Sequence, residues 1–396
     1  MKRALITGTA GFMGFDPPPE TRIVMSVNAA WNIWNFRRSL VEALLAEGCE
    51  ITVLAPGDDA AAKLEATGCR FQPLRMSVKG LNPVEALRLF GQFRRVFRRL
   101  RPDVILSFTI KNNIFGALAA KSVGLTFVPN VTGLGTAFLS GGALEWVATL
   151  LYRAAFRKLP VVFFQNRDDR DLFVSRGLVT AGQARLLPGS GIDLNRFAAA
   201  PYPAEDAAPV FLMIARLLRD KGVLEYVEAA RIVKERQPQA QFRLLGAAGA
   251  ENRTAIDRST VKGWEDEGVI EYLGTAEDVR PMIAAAHCVV LPSYREGAPR
   301  TLIEAAAMAR PLIATDVPGC RAVVNPGETG FLCEARSGVD LAARCLEFLA
   351  LDQEARAAMG RAGRKKMERE YSEEIVIDSY RQVIGELTAR HGTAYA

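Results

Sequence analysis

Hydrophobic positions in this chain fall into two successive series, each alternating short β-branched runs with longer stretches of helical period. The first series reads RIVMSV from Arg22, a helix near 36–47, ITVLAP, a helix, VILSF, a helix, FVPNVT, a helix and VVFFQN. The second reads VFLMIA from Val210, a helix over 223–237, FRLLG, a helix, IEYLG, a helix, CVVLPS, a helix after Pro299, PLIATDV and GFLCE. Nearly continuous apolar strands alternating with helices predict parallel, doubly wound sheets covered on both faces. Between the two series, FAAAPYPAEDAAP at 197–209 is rich in Ala and Pro and lacks period, so it is expected to link two Rossmann-like domains, 21–200 and 201–374. A last helix at 375–396, with Ile375, Ile377, Tyr380, Val383, Ile384 and Leu387 on its apolar face, is expected to cross back to the first domain.

Residues 1–20 stand outside this rhythm. MKRALITGTAGFMG is a strand followed by Gly8, Gly11 and Gly14, the spacing that brings backbone amides against a dinucleotide pyrophosphate. Taken alone, it suggests an NAD-dependent sugar epimerase or oxidoreductase. Pro17, Pro18 and Pro19 then forbid the helix which that site requires, and the βα series restarts at Arg22. The segment is expected to be a flexible leader.

A chain of 396 residues, 49% hydrophobic and 24% charged, is long enough for two globular domains. The six cysteines are scattered, which fits neither a disulfide framework nor a zinc site, and with only His287 and His391 no metal is expected. No apolar run is long enough to span a bilayer, and a cytoplasmic location follows as the expectation. Charge sharpens the division between the domains. Residues 21–200 carry 23 Lys+Arg against 13 Asp+Glu, whereas residues from 201 onward carry 25 against 29. A basic first half points to an anionic partner.

Within that half, RLFGQFRRVFRRLR at 88–101 holds six arginines and no acid. Leu89, Phe93, Val96 and Leu100 recur at helical spacing, with Phe90 and Phe97 beside them. Such a helix either packs its stripe on the sheet with solvated arginines or docks on anionic lipid, placing the protein peripherally on the inner face of the plasma membrane. No nucleic-acid motif accompanies the charge, and no nucleic-acid partner is expected.

Candidate chemistry concentrates at two strand ends of the second series. In PSYREGAPRTLIEAAAMARP, Glu296 and Gly297 form a turn, Pro299 takes an early helical position, and Glu304 follows one to two turns in. Amides of Gly297 and Ala298 at a helix start, with Thr301 beside them, suit an anionic or hydroxyl-rich ligand. Glu296 is then placed to accept sugar hydroxyls and Glu304 to hold a ribose diol. In ARLLRDKG, Arg216 and Lys221 leave the first strand of the second domain, where open α/β sheets bind ligands, and two cations there suit a diphosphate. Solvated surface roles are the bland alternative for all of them.

The Glu-x7-Glu spacing of Glu296 and Glu304, together with Arg216 and Lys221, resembles the family-4 retaining glycosyltransferases of GT-B fold. The similarity runs from about residue 22 to the end. NVTGLGTAF from Asn130, PGSGIDLNRF from Pro188 and TDVPGCR from Thr315 resemble the subgroup that builds capsules, O-antigens and lipid-linked oligosaccharides. The resemblance implies two Rossmann-like domains facing a cleft and a nucleotide-sugar donor, a UDP-sugar above all, held by the second domain. It further implies a lipid-linked saccharide acceptor and no cofactor. Arg216 and Lys221 would neutralise the departing diphosphate in place of a metal. Glu296 would steady the reacting sugar, and Glu304 would take the ribose. Asn28, Trp31, Gly133 and Gly135 are the acceptor-side candidates.

The chain departs from the family at several places. Many relatives have a glycine-rich loop where SVNAAWNIWNF stands, and a first-domain histidine that this chain lacks; His287 is expected to be structural. Ala322 replaces a frequent Glu after GCR, and Ala309 replaces a frequent glycine. A non-catalytic scaffold of the same fold remains the third alternative.

Overall fold

The structure, a computed structural model, describes residues 17–18, 20–76, 83–134, 142–249 and 254–392. The leader glycines, Gly135 and the end of the NVTGLGTAF segment lie outside the described residues.

Two parallel sheets are present, as the alternation predicts. The first contains β1 (Arg22–Ser26), β2 (Glu50–Ala55), β3 (Arg70–Pro73), β4 (Val104–Phe108), β5 (Phe127–Val131), β6 (Val162–Phe164) and β7 (Ala184–Leu186), ordered β3-β2-β1-β4-β5-β6-β7. The second contains β8 (Val210–Ile214), β9 (Gln241–Leu245), β10 (Glu271–Tyr272), β11 (Cys288–Leu291), β12 (Leu312–Thr315) and β13 (Gly330–Cys333), ordered β10-β9-β8-β11-β12-β13. In both sheets the order reverses beside the first strand, and at such a switch the connecting loops diverge and leave a crevice at the strand carboxyl ends.

Pattern reading anticipates all six strands of the second sheet but misses β3 and β7 in the first. Both are short outermost strands, and none of their residues is fully buried. They carry no apolar run to be read. The single helix expected over 36–47 is instead two, Ala30–Phe36 and Arg38–Ala46, broken at Arg37.

The second sheet buries both faces by strand alternation. Phe211, Met213, Val290 and Ile313 pack in one cluster with Tyr226, Val227 and Ala230 of the helix Val223–Arg236 and Leu341, Cys345 and Phe348 of the helix Gly338–Ala350. Leu212, Val289, Leu291 and Leu312 pack in the opposite cluster with Leu302, Ile303, Ala305 and Ala306 of the helix Arg300–Ala307. That helix is thereby anchored with its N-terminus at the carboxyl end of β11.

The described chain forms two compact units. One comprises residues up to Leu106, Ala119–Phe127 and those from Ile377 onward; the other comprises Ser107–Leu118 and Val128–Val376. On the terminal helix Glu373–Gly392, the buried positions include Val376, Tyr380, Val383, Ile384 and Leu387. Val376 takes the place expected for Ile375 and Ile377, because it continues the i, i+4, i+7, i+8 row of the face.

The basic helix, Pro83–Leu100, buries Leu89, Phe93, Val96 and Phe97, with Phe93 and Phe97 rings stacked 5.5 Å apart. Its apolar stripe belongs to the protein core. Arg88, Arg95, Arg98 and Arg99 face solvent.

Candidate active site

The site is built where β8 and β11 end. After β8, residues 219–221 make one turn of 3-10 helix, and Gly222 caps the helix Val223–Arg236 at φ 76°. A Cβ on Gly222 would stand 2.1 Å from the carbonyl oxygen of Pro292, just past β11. Only glycine allows this approach, and it draws the Lys221 loop against the Glu296 loop. Lys221 Nζ then meets Glu296 Oε1 at 2.5 Å, with side-chain exposures of 25% and 12%. A half-buried ion pair beside a helix N-terminus concentrates opposite charges that a ligand can separate. Arg216 is exposed at the same strand end, and no ion pair engages it among the described residues.

Four segments hold the Glu296–Ala298 turn. A Cβ on Gly297 would stand 2.2 Å from the Thr132 carbonyl oxygen and 3.5 Å from the Gly133 Cα, so the predicted Gly133 lies against the predicted Gly297. Gly319, in the helix Pro318–Val323, is equally confined, its Cβ position falling 2.6 Å from both the Glu296 and Gly297 carbonyl oxygens. Gly189, at φ 67°, packs the PGSG turn against Ala298, where a Cβ on Gly189 would stand 2.9 Å from the Ala298 Cβ. The fourth is the start of the helix Arg167–Ser175. Its N-cap Asn166 accepts from the Asp169 amide at 2.8 Å, and the Asn166 Nδ2 donates to the Gly297 carbonyl at 3.0 Å and to Asp169 Oδ2 at 3.0 Å. Asp169, 1% exposed, pairs with Arg295, the residue before Glu296. Burial pushes the Asp169 carboxyl above its ordinary range, and the Arg295 guanidinium acts in the opposite sense. One face of the Asn166–Asp169 turn thus fixes the backbone on both sides of Glu296.

Glu304 sits in the helix Arg300–Ala307, for which Pro299 is the N-cap rather than a helical residue. Arg300 Nε donates to Glu304 Oε1 at 2.8 Å, and Arg300 Nη1 donates to Ser190 Oγ at 3.0 Å and to the Gly191 carbonyl at 2.7 Å. Burial raises the Glu304 carboxyl, with Arg300 lowering it. Thr301 donates its hydroxyl to the Ile214 carbonyl at 3.0 Å, tying the helix to the end of β8 and leaving its oxygen lone pairs to accept. Tyr294 reaches Glu225 at 2.7 Å, under the Arg336 guanidinium 4.7 Å from its ring centroid.

The structure therefore brings Lys221, Glu296, Gly297, Ala298, Thr301 and Glu304 onto one strand-end site, with Gly133 packed against it. Asn28 and Trp31 belong to the other compact unit. There, Trp31 is 54% exposed, its amide donates to Asp58 Oδ2 at 2.9 Å, and Asn28 Oδ1 accepts from Asn32 at 3.4 Å. Sequence reading missed Arg295, Arg300, Asn166 and Asp169. The NRDD run does carry an N-cap signal, but its partners lie more than 120 positions away. His287 is structural, as expected. Its Nδ1 accepts from the Val210 amide at 3.1 Å, and burial lowers its pKa to about 4.

Both halves of the chain match known families. Residues 33–190 match the glycosyl transferase 4-like domain family, and residues 196–366 match the glycosyl transferases group 1 family. A Campylobacter jejuni N,N'-diacetylbacillosaminyl-diphospho-undecaprenol alpha-1,3-N-acetylgalactosaminyltransferase is 27% identical over 91% of this chain and 97% of its own length. An Escherichia coli UDP-Gal:alpha-D-GlcNAc-diphosphoundecaprenol alpha-1,3-galactosyltransferase is 24% identical over 65% of this chain and 68% of its own. In fold, HepE from Anabaena, crystallised with UDP and glucose, superposes with a TM-score of 0.71 at 18% identity, covering 94% of this chain and all of that one. Sucrose-phosphate synthase from Thermosynechococcus elongatus superposes at 0.74 with 20% identity, covering 93% of this chain and all of that one. With both halves matched and the parallel sheets of GT-B neighbours in place, the chain belongs to the family-4 type of glycosyltransferases.

Proposed function

We propose that the enzyme moves a sugar from a nucleotide-sugar, specifically a UDP-sugar, onto a polyprenyl-diphosphate-linked saccharide, with retention of configuration and without a metal. The observation that carries the donor assignment is the Lys221–Glu296 pair at the switch point of the second sheet, with Arg216 exposed beside it. A diphosphate entering this crevice competes with Glu296 for Lys221. Lys221 turns to the phosphate as a point charge, Arg216 adds a fork, and Glu296 is released toward the donor sugar. Two cations at the departing diphosphate supply the charge stabilisation that a metal supplies elsewhere.

Glu296, held by Arg295 and Gly297 on either side, accepts donor-sugar hydroxyls and faces the positive charge that develops at the reacting carbon. Glu304 accepts from the ribose diol, its orientation set by Arg300. The amides of Gly297 and Ala298 and the hydroxyl oxygen of Thr301 complete the donor contacts. Residues 201–374 form the donor-binding domain. Asn28, Trp31, Gly133 and Gly135 serve the acceptor. The undecaprenyl-diphosphate substrates in the names of the Campylobacter and Escherichia relatives support the acceptor class, and HepE bound to UDP supports the nucleotide.

The test is transfer from a panel of nucleotide-sugars to a synthetic polyprenyl-diphosphate saccharide by purified protein. Wild type is expected to turn over a UDP-sugar with chelator present, and Lys221→Ala and Glu296→Ala to be nearly inactive. Undiminished turnover by both variants would refute the site.

A further inference from the structure

The basic helix at Pro83–Leu100, the natural choice for lipid contact from sequence, has its apolar stripe buried in the protein. That helix leaves only Val84 and Leu87 of its large apolar side chains exposed, near its start, whereas four are exposed on the helix Gly142–Phe156. Its inner face buries Ala148, Tyr152, Ala155 and Phe156, with the Tyr152 ring 5.0 Å from Phe173 and 5.2 Å from Phe156. That aromatic cluster fixes which face turns outward. Trp146 is 64% exposed, Leu144 44%, Val147 41% and Leu150 40%.

Exposed apolar side chains scattered singly mean little, but these four occupy consecutive turns of one helix. The helix's acidic residue, Glu145, is engaged by Arg176 at 2.6 Å. Cations follow in the same row: Trp146, Leu150, Arg153 and Arg157 recur at i, i+4, i+7 and i+11, all of them exposed, and Lys158 is exposed next to them. Arg153 also donates to the Arg176 carbonyl at 3.1 Å, which holds its stem along the helix. Along one outward stripe, polarity therefore grades from an indole and aliphatic end to a cationic end. This is the distribution that seats a helix at a bilayer interface, with Trp and Leu at the acyl boundary and Arg and Lys among anionic headgroups.

We infer that the outward face of helix Gly142–Phe156, centred on Trp146 and Leu150 with Arg157 and Lys158 at its end, docks the protein on anionic phospholipid. Two observations favour lipid over a second copy of the chain. Four side chains on one helix are a small patch beside the roughly 800 Å² per partner that a stable protein interface buries. The adjoining cations would also meet their own kind across a two-fold axis running through the patch. The inference deepens the proposed lipid-linked acceptor and rests on that reading for its biological purpose, but the surface itself is tested without turnover.

The experiment is co-sedimentation of the full chain with phosphatidylcholine vesicles and with vesicles containing phosphatidylglycerol. The wild type is expected to bind the anionic vesicles and to be released by added salt. Trp146→Ser with Leu150→Ser should weaken binding at least tenfold, while UDP titration shows the variant folded with its donor affinity intact. Arg157→Glu with Lys158→Glu should abolish the preference for anionic vesicles, whereas Arg95→Glu with Arg99→Glu should change binding less. Unchanged vesicle binding by the Trp146/Leu150 variant would overturn the inference. So would conversion of a wild-type dimer to a monomer by that variant, which would assign the patch to a second copy. Absence of sugar transfer with vesicle binding intact would instead fail the functional reading and leave this surface standing.

Discussion

The loops after β1 and after β8 occupy the same topological position, each leaving the first strand of a Rossmann-type sheet for a helix, yet they differ in chemistry. The β8 loop presents Arg216 and Lys221, closes through a positive-φ glycine onto Pro292, and pairs Lys221 with a half-buried carboxylate. The β1 exit presents Asn28 in its loop and an exposed Trp31 in the first turn of the helix Ala30–Phe36, with Asp58 holding the Trp31 amide. Cations that a diphosphate can capture stand at one; neutral amides and an indole, groups that suit sugar rings and hydroxyls, stand at the other. Topology supplies the crevice, and side-chain chemistry decides which substrate each crevice takes.

The contrast breaks most severely at the charge pair. Lys221→Ala should lower transfer by about 10²–10³-fold, the usual cost of removing one preorganised charge contact, and Lys221→Arg should restore part of it. If Lys221→Ala retained more than a tenth of wild-type turnover, the pair would not be the donor clamp.

Next in size is the scaffold beneath it. Gly222→Ala adds a Cβ in a left-handed backbone and 2.1 Å from a carbonyl oxygen, so it should destabilise by at least about 1–2 kcal/mol and weaken donor binding together. Asp169→Ala, which removes the buried carboxylate that pairs with Arg295 and one of the two acceptors of the Asn166 Nδ2, should cost about 1–3 kcal/mol. Thermal unfolding, alone and with UDP, checks both; an unchanged midpoint for either variant would contradict the packing described.

A smaller effect separates the two glutamates. Burial holds the Glu304 carboxyl above its ordinary range, so on acidification it takes up a proton at higher pH than a surface glutamate would. The linkage has a definite sign. Ionised Glu304 costs folding stability at neutral pH, the cost is relieved as pH falls through its raised folded value, and ribose binding is lost over the same interval. Donor affinity measured against pH should fall in that interval for wild type. Glu304→Gln should bind about tenfold more weakly at neutral pH and lose this pH dependence.

Much of this was legible in the sequence, because the residues proposed for the donor obey local rules. Glu296 and Gly297 follow an apolar strand, Pro299 marks the helix start, and Lys221-Gly222 ends a strand-exit loop. The residues that hold them were not legible. Asn166 and Asp169 reach Gly297 and Arg295 across more than 120 positions, and Arg300 joins Glu304 to Ser190. Tertiary packing alone brings such partners together. The same limit applies to the two helices of the first half. Periodicity shows that 88–101 is amphipathic and basic, but it does not tell whether that stripe is covered. At 142–156 the apolar residues surround the helix, so only the buried Tyr152 and Phe156 reveal that Trp146 and Leu150 face outward.

The central claim, that the donor is held at the β8 loop and not at the β1 loop, is tested most directly by calorimetric titration of UDP into Lys221→Ala and Trp31→Ala side by side. Binding should be lost or weakened at least tenfold in Lys221→Ala and remain at the wild-type value in Trp31→Ala. Wild-type binding by Lys221→Ala, or its loss in Trp31→Ala, would contradict the account.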